Sequence, residues 1–348
     1  MSKKLREYGI IIGQLLTGTK NCITDVEGVQ IGHVTLDEPL NDQGDYACTG
    51  VTAILPHTGN LFEQKVTAAS YVLNGFGKTT GLVQVNELGV LEAPIMLTNT
   101  FSVPAVTQGT LQYMLETNEA IGQTTGTINI VVGECNDSNL NSIRHCAITP
   151  AHAMKAIHSA TNDTIAEGAI GAGKGMVCFG YKGGIGSSSR IVVANEEISY
   201  TIGCLVLSNF GRKEDFLAER YSAKTEQHQD TVAPTDGSII IVLATDAPLS
   251  SRQLQRVIKR CGIGLGRTGS HFSHGSGDIV IGFTTARTIP HKTEELFEAR
   301  KQLREDHPVM NQLFAAAAEA TEEAILNSLA QAKTTIGRNG HTVHAFQF

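Results

Sequence analysis

YSAKTEQHQDTVAPTDG, residues 221–237, runs directly into SIIIVLA, residues 238–244. The first part is polar, carries Pro234 and has no apolar period, so it reads as an exposed loop or linker. The second is the most apolar strand candidate in the chain. It shows no apolar–polar alternation, which predicts a strand covered on both faces. Covering both faces requires layers on either side of one sheet. The junction therefore delivers Gly237 and Ser238 from an exposed loop to the mouth of a buried strand.

Working outward, short Val- and Ile-rich runs bounded by Gly, Asn and Asp predict further buried strands. They are Val51–Leu55, Ile95–Thr98, Ile128–Val132, Met176–Phe179, Ile202–Leu207 and Ile279–Phe283, beside Ile239–Ala244 itself. Helical spacing is read between them. Phe62–Leu73 has apolar residues at 62, 66, 69, 72 and 73, and Val103–Leu115 follows Ser102 with Pro104 in its first turn. Pro150–Ala160 and Leu249–Cys261 read the same way, and Thr293–Ala332 reads as a helix-rich tail that Pro308 interrupts. Strands interleaved with helices predict an α/β layered domain.

Composition narrows the function classes. The chain has 348 residues, 41% hydrophobic and only 18% charged, with 36 glycines and a formal net charge of -7. That is enough apolar material for a large core, and it excludes a disordered chain. Nucleic acid is not an expected partner, because no Lys/Arg cluster is present to displace counterions. No run reaches the length of a membrane helix, so no membrane partner is expected. Lys3, Lys4 and Arg6 precede the apolar stretch Gly9–Leu16, but Gln14 interrupts it and no small-x-small site follows. The seven cysteines contain no C-x-x-C and are odd in number, which predicts reduced core thiols and a cytoplasmic location.

Three further patterns bear on chemistry. Gly168–Gly175 (GAIGAGKG) matches G-x-x-x-x-G-K but has Gly175 where a phosphate loop needs Ser or Thr. It precedes a strand-like run rather than opening a helix, so it reads as a tight glycine turn or pocket-lining loop, with no nucleotide cofactor. His271 and His274 lie three apart in a loop, without metal-ligand spacing, and no metal is expected. Gly186–Ser189 and Gly275–Asp278 are serine clusters. In the second, Ser276 and Asp278 are two apart and share a face if extended, so a hydroxyl and a carboxylate meet at a strand's mouth. A turn or cap is the plainer reading of the same residues.

Eight fragments in order carry a resemblance. They are Cys22–His33 (CITDVEGVQIGH), Gly50–Pro56 (GVTAILP), Leu97–Thr100 (LTNT), Val132–Asp137 (VGECND), Gly168–Gly175, Leu205–Gly211 (LVLSNFG), Asp236–Val242 (DGSIIIV) and His274–Val280 (HGSGDIV). Together they resemble the self-processing DmpA-type aminopeptidases, which include L-aminopeptidase/D-esterases and β-peptidyl aminopeptidases. The resemblance runs from about Ile23 to His344. It implies a four-layer αββα sandwich similar to N-terminal-nucleophile hydrolases. It implies one domain that cleaves itself between Gly237 and Ser238 into 237 and 111 residues (348 less 237). Ser238 would become chain terminus and nucleophile. Ser276 and Asp278 match the family's Ser-x-acid pair, Asn209 its oxyanion asparagine, and Glu134 its carboxylate for the substrate's free amine. A homo-oligomer and a small peptide, amide or ester substrate are implied as well. The family's Tyr near the glutamate loop is missing. Asn136 and Asn139 stand in that loop, and the role is not transferred.

The chemistry has a physical basis apart from the family. A serine hydroxyl needs a base within hydrogen-bond reach. A terminal Ser238 supplies one through its α-amine, with a free pKa of ~7.7–8.0; Asp278 acting through Ser276 is the alternative. The amide of Asn209 suits an oxyanion, and Glu134 pairs only with an unblocked ammonium. The leading expectation is a cofactor-free serine aminopeptidase. An acyltransferase on a related self-cleaving fold would start at Thr rather than Ser238, and a non-catalytic binding protein would not cleave.

Overall fold

The computed structural model describes residues 3–221 and 237–348. Most of the segment expected to be an exposed linker, residues 222–236, lies outside the described residues. In chain order the strands are β1 (Gln30–Pro39), β2 (Tyr46–Leu55), β3 (Gln64–Gly75), β4 (Val90–Leu91), β5 (Ile95–Asn99) and β6 (Val131–Cys135). A short hairpin follows, β7 (Val177–Cys178) with β8 (Tyr181–Lys182), then β9 (Gly184–Val193), β10 (Ser199–Asn209), β11 (Ser238–Thr245) and β12 (Gly277–Pro290). The helices are α1 (Leu82–Leu88), α2 (Val103–Thr117), α3 (Pro150–His158), α4 (Ser251–Ile258), α5 (Cys261–Arg267) and α6 (Val309–Ala330).

Two large sheets form, one ordered β1-β2-β5-β6 and the other β4-β3-β12-β11-β10-β9, apart from the β7–β8 hairpin and a two-stranded pair, Thr335–Ile336 with Thr342–Val343. The strand opened by Ser238 is interior to the second sheet, antiparallel to β10 and parallel to β12. Its side chains alternate between two apolar layers, as the period of a strand requires. Ile239, Ile241 and Leu243 pack with Leu313, Ala317, Ala320 and Leu329 of α6. Ile240, Val242 and Ala244 pack against Ile95, Leu97 and Val131 of the other sheet. A third layer joins Val51, Ala53, Met96 and Val132 to α2 and α3 through Val103, Val106 and Ile157. Helices, sheet, sheet and helices are thus stacked in that order, the expected αββα sandwich. Full burial of each large aliphatic side chain contributes roughly 1.5–3 kcal/mol, so β11 is anchored from both faces.

Helix α6 is buried along nearly its whole length, acidic side chains included. Arg190, itself buried, donates to Glu319 at 3.0 Å and to Glu323 at 2.6 Å, and Arg6 donates to Glu323 at 2.8 Å. Those pairs offset the desolvation of the carboxylates. The close approach of α6 to β9 depends on Gly186, where a Cβ would fall 2.0 Å from the Ala324 carbonyl oxygen. The serines beside it, expected as a candidate cluster, are structural. Ser187 donates to the Cys204 carbonyl, Ser188 to the Ala320 carbonyl and Ser189 to Asp25, each at 2.6 Å.

Several expectations are corrected. The segment expected as a helix, Phe62–Leu73, is mostly strand β3. Its apolar spacing fits both periods because Ala68, Ala69 and Ser70 carry no strong pattern. Pairing with β12 decides the matter, sending Val66 and Ala68 to one layer and Ala69 to the other. The strand expected at Ile128–Val132 starts later, at Val131, and Met176–Phe179 keeps only the two residues of β7. Leu249–Cys261 divides into α4 and α5. In the tail, residues 291–307 are not helical and α6 begins directly after Pro308. Cys146 is exposed, whereas the other six cysteines are buried and all seven are unpaired.

Candidate active site

Strand pairing brings the sequence-predicted residues together. In register, Ser238 faces Asn209 of β10 on one side and Gly277 of β12 on the other. The Gly277 N–H donates to Ser238 Oγ at 3.1 Å. That bond occupies an acceptor position of the hydroxyl and leaves its proton free to be given away. Gly237 lies tight against β10: a Cβ there would fall 2.4 Å from the Asn209 carbonyl oxygen and 2.5 Å from Phe210 Cα. The position before Ser238 admits glycine without displacement of that backbone.

Ser276 and Asp278 meet as the spacing suggested. Ser276 Oγ donates to Asp278 Oδ1 at 2.5 Å, and both residues are buried. Asp278 Oδ2 is buried with no hydrogen-bond partner among the described residues. Burial pushes the Asp278 carboxyl up to about 6, against the opposing pull of the Ser276 hydroxyl and the Ile239 backbone. A carboxyl in that range takes and releases protons near neutral pH.

Asn209 is held at both ends of its carboxamide. Its Oδ1 accepts from Val177 N at 2.9 Å, and its Nδ2 donates to the Asn136 carbonyl at 2.9 Å. One N–H of Nδ2 is committed there, leaving the second for another acceptor. The Val177 N–H is itself set by a buried cation. Lys182 Nζ donates to the carbonyls of Met176 at 2.6 Å, Gly183 at 2.9 Å and Gly173 at 3.0 Å. Burial brings that ammonium down to about 7.

Glu134 sits at the end of β6, 2 % exposed. Its Oε1 accepts from Lys78 N at 2.9 Å, and its Oε2 accepts from the Thr100 hydroxyl. Each oxygen retains a lone pair. A cleft of about 650 Å³ is lined by Glu134 and Ser238 together, with Thr100, Lys78, Phe101 and Asn136 among the walls. A neighbouring pocket of about 460 Å³ is lined by Asn209, Gly237, Asn136 and Asn139. Asn136 therefore borders both. The loop that carries it is pinned by Asp137, which accepts from Asn141 at 2.9 Å and whose carboxyl burial pushes up to about 7.

Lys78, Thr100, Gly277 and the supports Val177, Lys182 and Asp137 carry no role in the sequence reading. Thr100 lies within a quoted fragment, but only the fold puts it on Glu134. The other candidates fall elsewhere. His271 approaches Asp215 at 3.6 Å, and no cluster of metal-ligating side chains occurs among the described residues. The glycine loop is a packing device: a Cβ at Gly173 would fall 2.4 Å from Ile185 N, one at Gly175 would fall 2.2 Å from the Cys48 carbonyl oxygen, and Lys174 pairs with Asp37 at 2.6 Å.

A family model described as peptidase family S58 matches residues 21–343. The β-peptidyl aminopeptidase BapA of Sphingosinicella microcystinivorans is 38% identical over 345 residues, covering 94% of this chain and 85% of that protein. The PH0078 protein of Pyrococcus horikoshii OT3 superposes with a TM-score of 0.89 at 47% identity, over 99% of this chain and 96% of that one. The L-aminopeptidase D-Ala-esterase/amidase of Ochrobactrum anthropi, described as a variant of the Ntn hydrolase fold, superposes with a TM-score of 0.87. It is 33% identical, with 99% and 95% of the two chains covered. With a buried carboxylate and a strand-opening serine in one cleft, and a family match over nearly its whole length, this chain belongs to peptidase family S58, the serine aminopeptidases of the Ntn hydrolase fold.

Proposed function

We propose that the chain cleaves itself between Gly237 and Ser238, and that Ser238 then removes N-terminal residues from small peptides, amides or esters with a free amine. The observation that carries this is the shared cleft: Ser238, at the first position of β11, and buried Glu134 line one cavity. In the uncleaved chain the nitrogen of Ser238 is an amide and is no base. For the first cleavage, then, only the second of the two relays is available. Ser238 Oγ gives its proton to Ser276 Oγ as Ser276 gives its own to Asp278, a direction that agrees with the Ser276-to-Asp278 hydrogen bond. The Ser238 oxygen attacks the Gly237 carbonyl carbon, the C–N bond breaks, and the nitrogen takes a proton to become the new α-amine. Water hydrolyses the resulting ester and frees the Gly237 carboxylate. After cleavage the α-amine becomes a second available base for turnover.

The remaining N–H of Asn209 Nδ2 is the donor assigned to the oxyanion, a contribution of about 2.7–4 kcal/mol for one such donor. Glu134 is assigned the substrate ammonium. No metal or organic cofactor takes part in this scheme. Assembly into a homo-oligomer and a cytoplasmic location belong to the same reading. They are supported by exposed apolar side chains such as Val83 and Phe297 and by seven unpaired thiols.

Intact-mass measurement of the purified protein tests the cleavage. Fragments of 237 and 111 residues (348 less 237), the second beginning with Ser238, are expected. A cut at another bond would overturn the assignment.

The pH dependence of self-cleavage follows from Asp278. The relay needs the ionised carboxylate, and burial raises that group from 3.8 to about 6. The processing rate should fall as pH drops through about 6. Folding stability responds to this group in the opposite sense. The folded state binds the proton more tightly than the unfolded one, so Asp278 adds stability as pH falls from about 6 toward 3.8. Loss of rate with no loss of structure in that window is expected. A rate that stays flat from pH 7 to pH 5, by timed gel analysis of freshly refolded precursor, would remove Asp278 from the relay.

A further inference from the structure

We propose that the molecule carries a second binding site, for a phosphate-type oxyanion, at the opposite end of the six-stranded sheet from Ser238. Gly277 of β12 adjoins Ser238, and Arg287 lies ten residues further along the same strand, roughly 30 Å away at ~3.3 Å per residue. Around Arg287 a cavity of about 560 Å³ is lined by Thr67, Ser250, Ser251, Arg300 and Lys301 among others. Its polar side chains are hydroxyls, cations and one amide, Gln302, and no carboxylate lines it.

The cavity is built by an irregularity of the sheet. β12 pairs with β3 as far as Thr284 opposite Thr67, then resumes at Thr288 opposite Val66, leaving residues 285–287 unpaired. Bulges of this kind re-aim side chains at functional sites, and here the bulge includes Arg287. It also leaves Thr67 in an uncommon state. Thr67 is 4% exposed, and its buried Oγ1 has no hydrogen-bond partner among the described residues. A buried hydroxyl without a partner costs about 1–3 kcal/mol, and a bound acceptor would remove that cost.

Charge points the same way. Arg287 and Arg300 share one carboxylate, Glu298, and Lys301 makes no ion pair among the described residues. Three cations against one carboxylate leave a local surplus of positive charge on a chain whose net charge is -7. Ser250 caps α4, its Oγ accepting from Gln253 N at 3.3 Å, and Ser250 and Ser251 at the start of that helix line the cavity. Amides at a helix start favour anions. Donors on several sides with a surplus of positive charge suit a multiply charged oxyanion with several acceptor oxygens, and guanidinium groups match it in geometry. Inorganic phosphate and the phosphoryl group of a phosphomonoester share this chemistry.

The test is calorimetric titration of the full protein with inorganic phosphate, paired with thermal melts in phosphate and in chloride at equal ionic strength. Saturable binding is expected, with a melting temperature raised by phosphate above chloride. Lys301→Gln should weaken binding about tenfold or more, the loss of a charge-assisted bond, and Thr67→Val about fivefold, the loss of a neutral one. Thr67→Val should melt no lower than wild type without phosphate, because it deletes an unsatisfied hydroxyl. Tighter binding of glycerol phosphate than of inorganic phosphate would identify a phosphomonoester as the ligand; equal binding would identify the free ion. Equal melts in phosphate and chloride, or variants that bind phosphate as wild type does, would overturn the site.

Discussion

Ser238→Ala is expected to yield one uncut chain of 348 residues with no measurable aminopeptidase activity. In the proposed scheme the substitution removes the attacking oxygen for self-cleavage and turnover at once. Loss of a serine nucleophile costs on the order of 10⁶-fold in kcat where it has been dissected in a serine protease. The fold should survive. Among the described residues the Ser238 side chain makes one hydrogen bond, accepted from Gly277 N at 3.1 Å, and β11 is held by the apolar side chains of Ile239 through Ala244, buried on its two faces. Losing one neutral hydrogen bond costs about 1 kcal/mol. A denaturing gel, an intact mass and a thermal melt of the variant check the three statements together. A variant that still shows the two-fragment pattern would sink the proposed nucleophile. An uncut variant with a collapsed melting temperature would instead assign Ser238 to folding.

Glu134→Gln is expected to separate processing from turnover. Self-cleavage should persist, because the Gly237–Ser238 bond presents no free amine to Glu134. Hydrolysis of free-amine substrates should fall, since a charge-assisted hydrogen bond is worth roughly 1.5–3 kcal/mol. That corresponds to about 10- to 150-fold in kcat/KM if the bond persists in the transition state. An N-acetylated substrate should be poor with wild type and no worse with the variant. Structure adds a cost the sequence does not reveal. Both carboxylate oxygens already accept, from Lys78 N and from the Thr100 hydroxyl, and glutamine keeps only one acceptor oxygen. A stability loss of about 1 kcal/mol is therefore expected as well, too small to unfold the chain. The measurement is kcat/KM for both substrates with both proteins, alongside a melt. Equal losses on the free and acetylated substrates would remove Glu134 from amine recognition, and with it the main physical reason for an aminopeptidase rather than a general amidase.

The sequence by itself determined the strand at Ile239–Ala244, the Ser-x-Asp pair, the layered α/β class and the family resemblance. Each of these is a local property. A short run of Val and Ile bounded by turn residues favours a buried strand, and residues two apart in extended chain share a face. Helix α6 after Pro308 was legible for the same reason, because proline at a boundary acts on its immediate neighbours. Beyond such local signals, tertiary structure decided the outcome. Phe62–Leu73 had helical spacing, yet long-range pairing with β12 made it a strand, since sheet hydrogen bonds and two-layer burial outweigh a weak local period. The candidate site shows the same division. Ser238, Asn209, Ser276 and Glu134 come from four strands or strand ends, and no spacing along the chain encodes that Asn209 and Gly277 flank Ser238 in register. Nor does spacing encode that Lys78 and Thr100, 56 and 34 residues from Glu134, converge on its two oxygens. Residue types announce which chemistry a chain can perform; only the packing of distant strands sets which atoms face one another, because hydrogen bonds are made over about 3 Å of space and not over sequence.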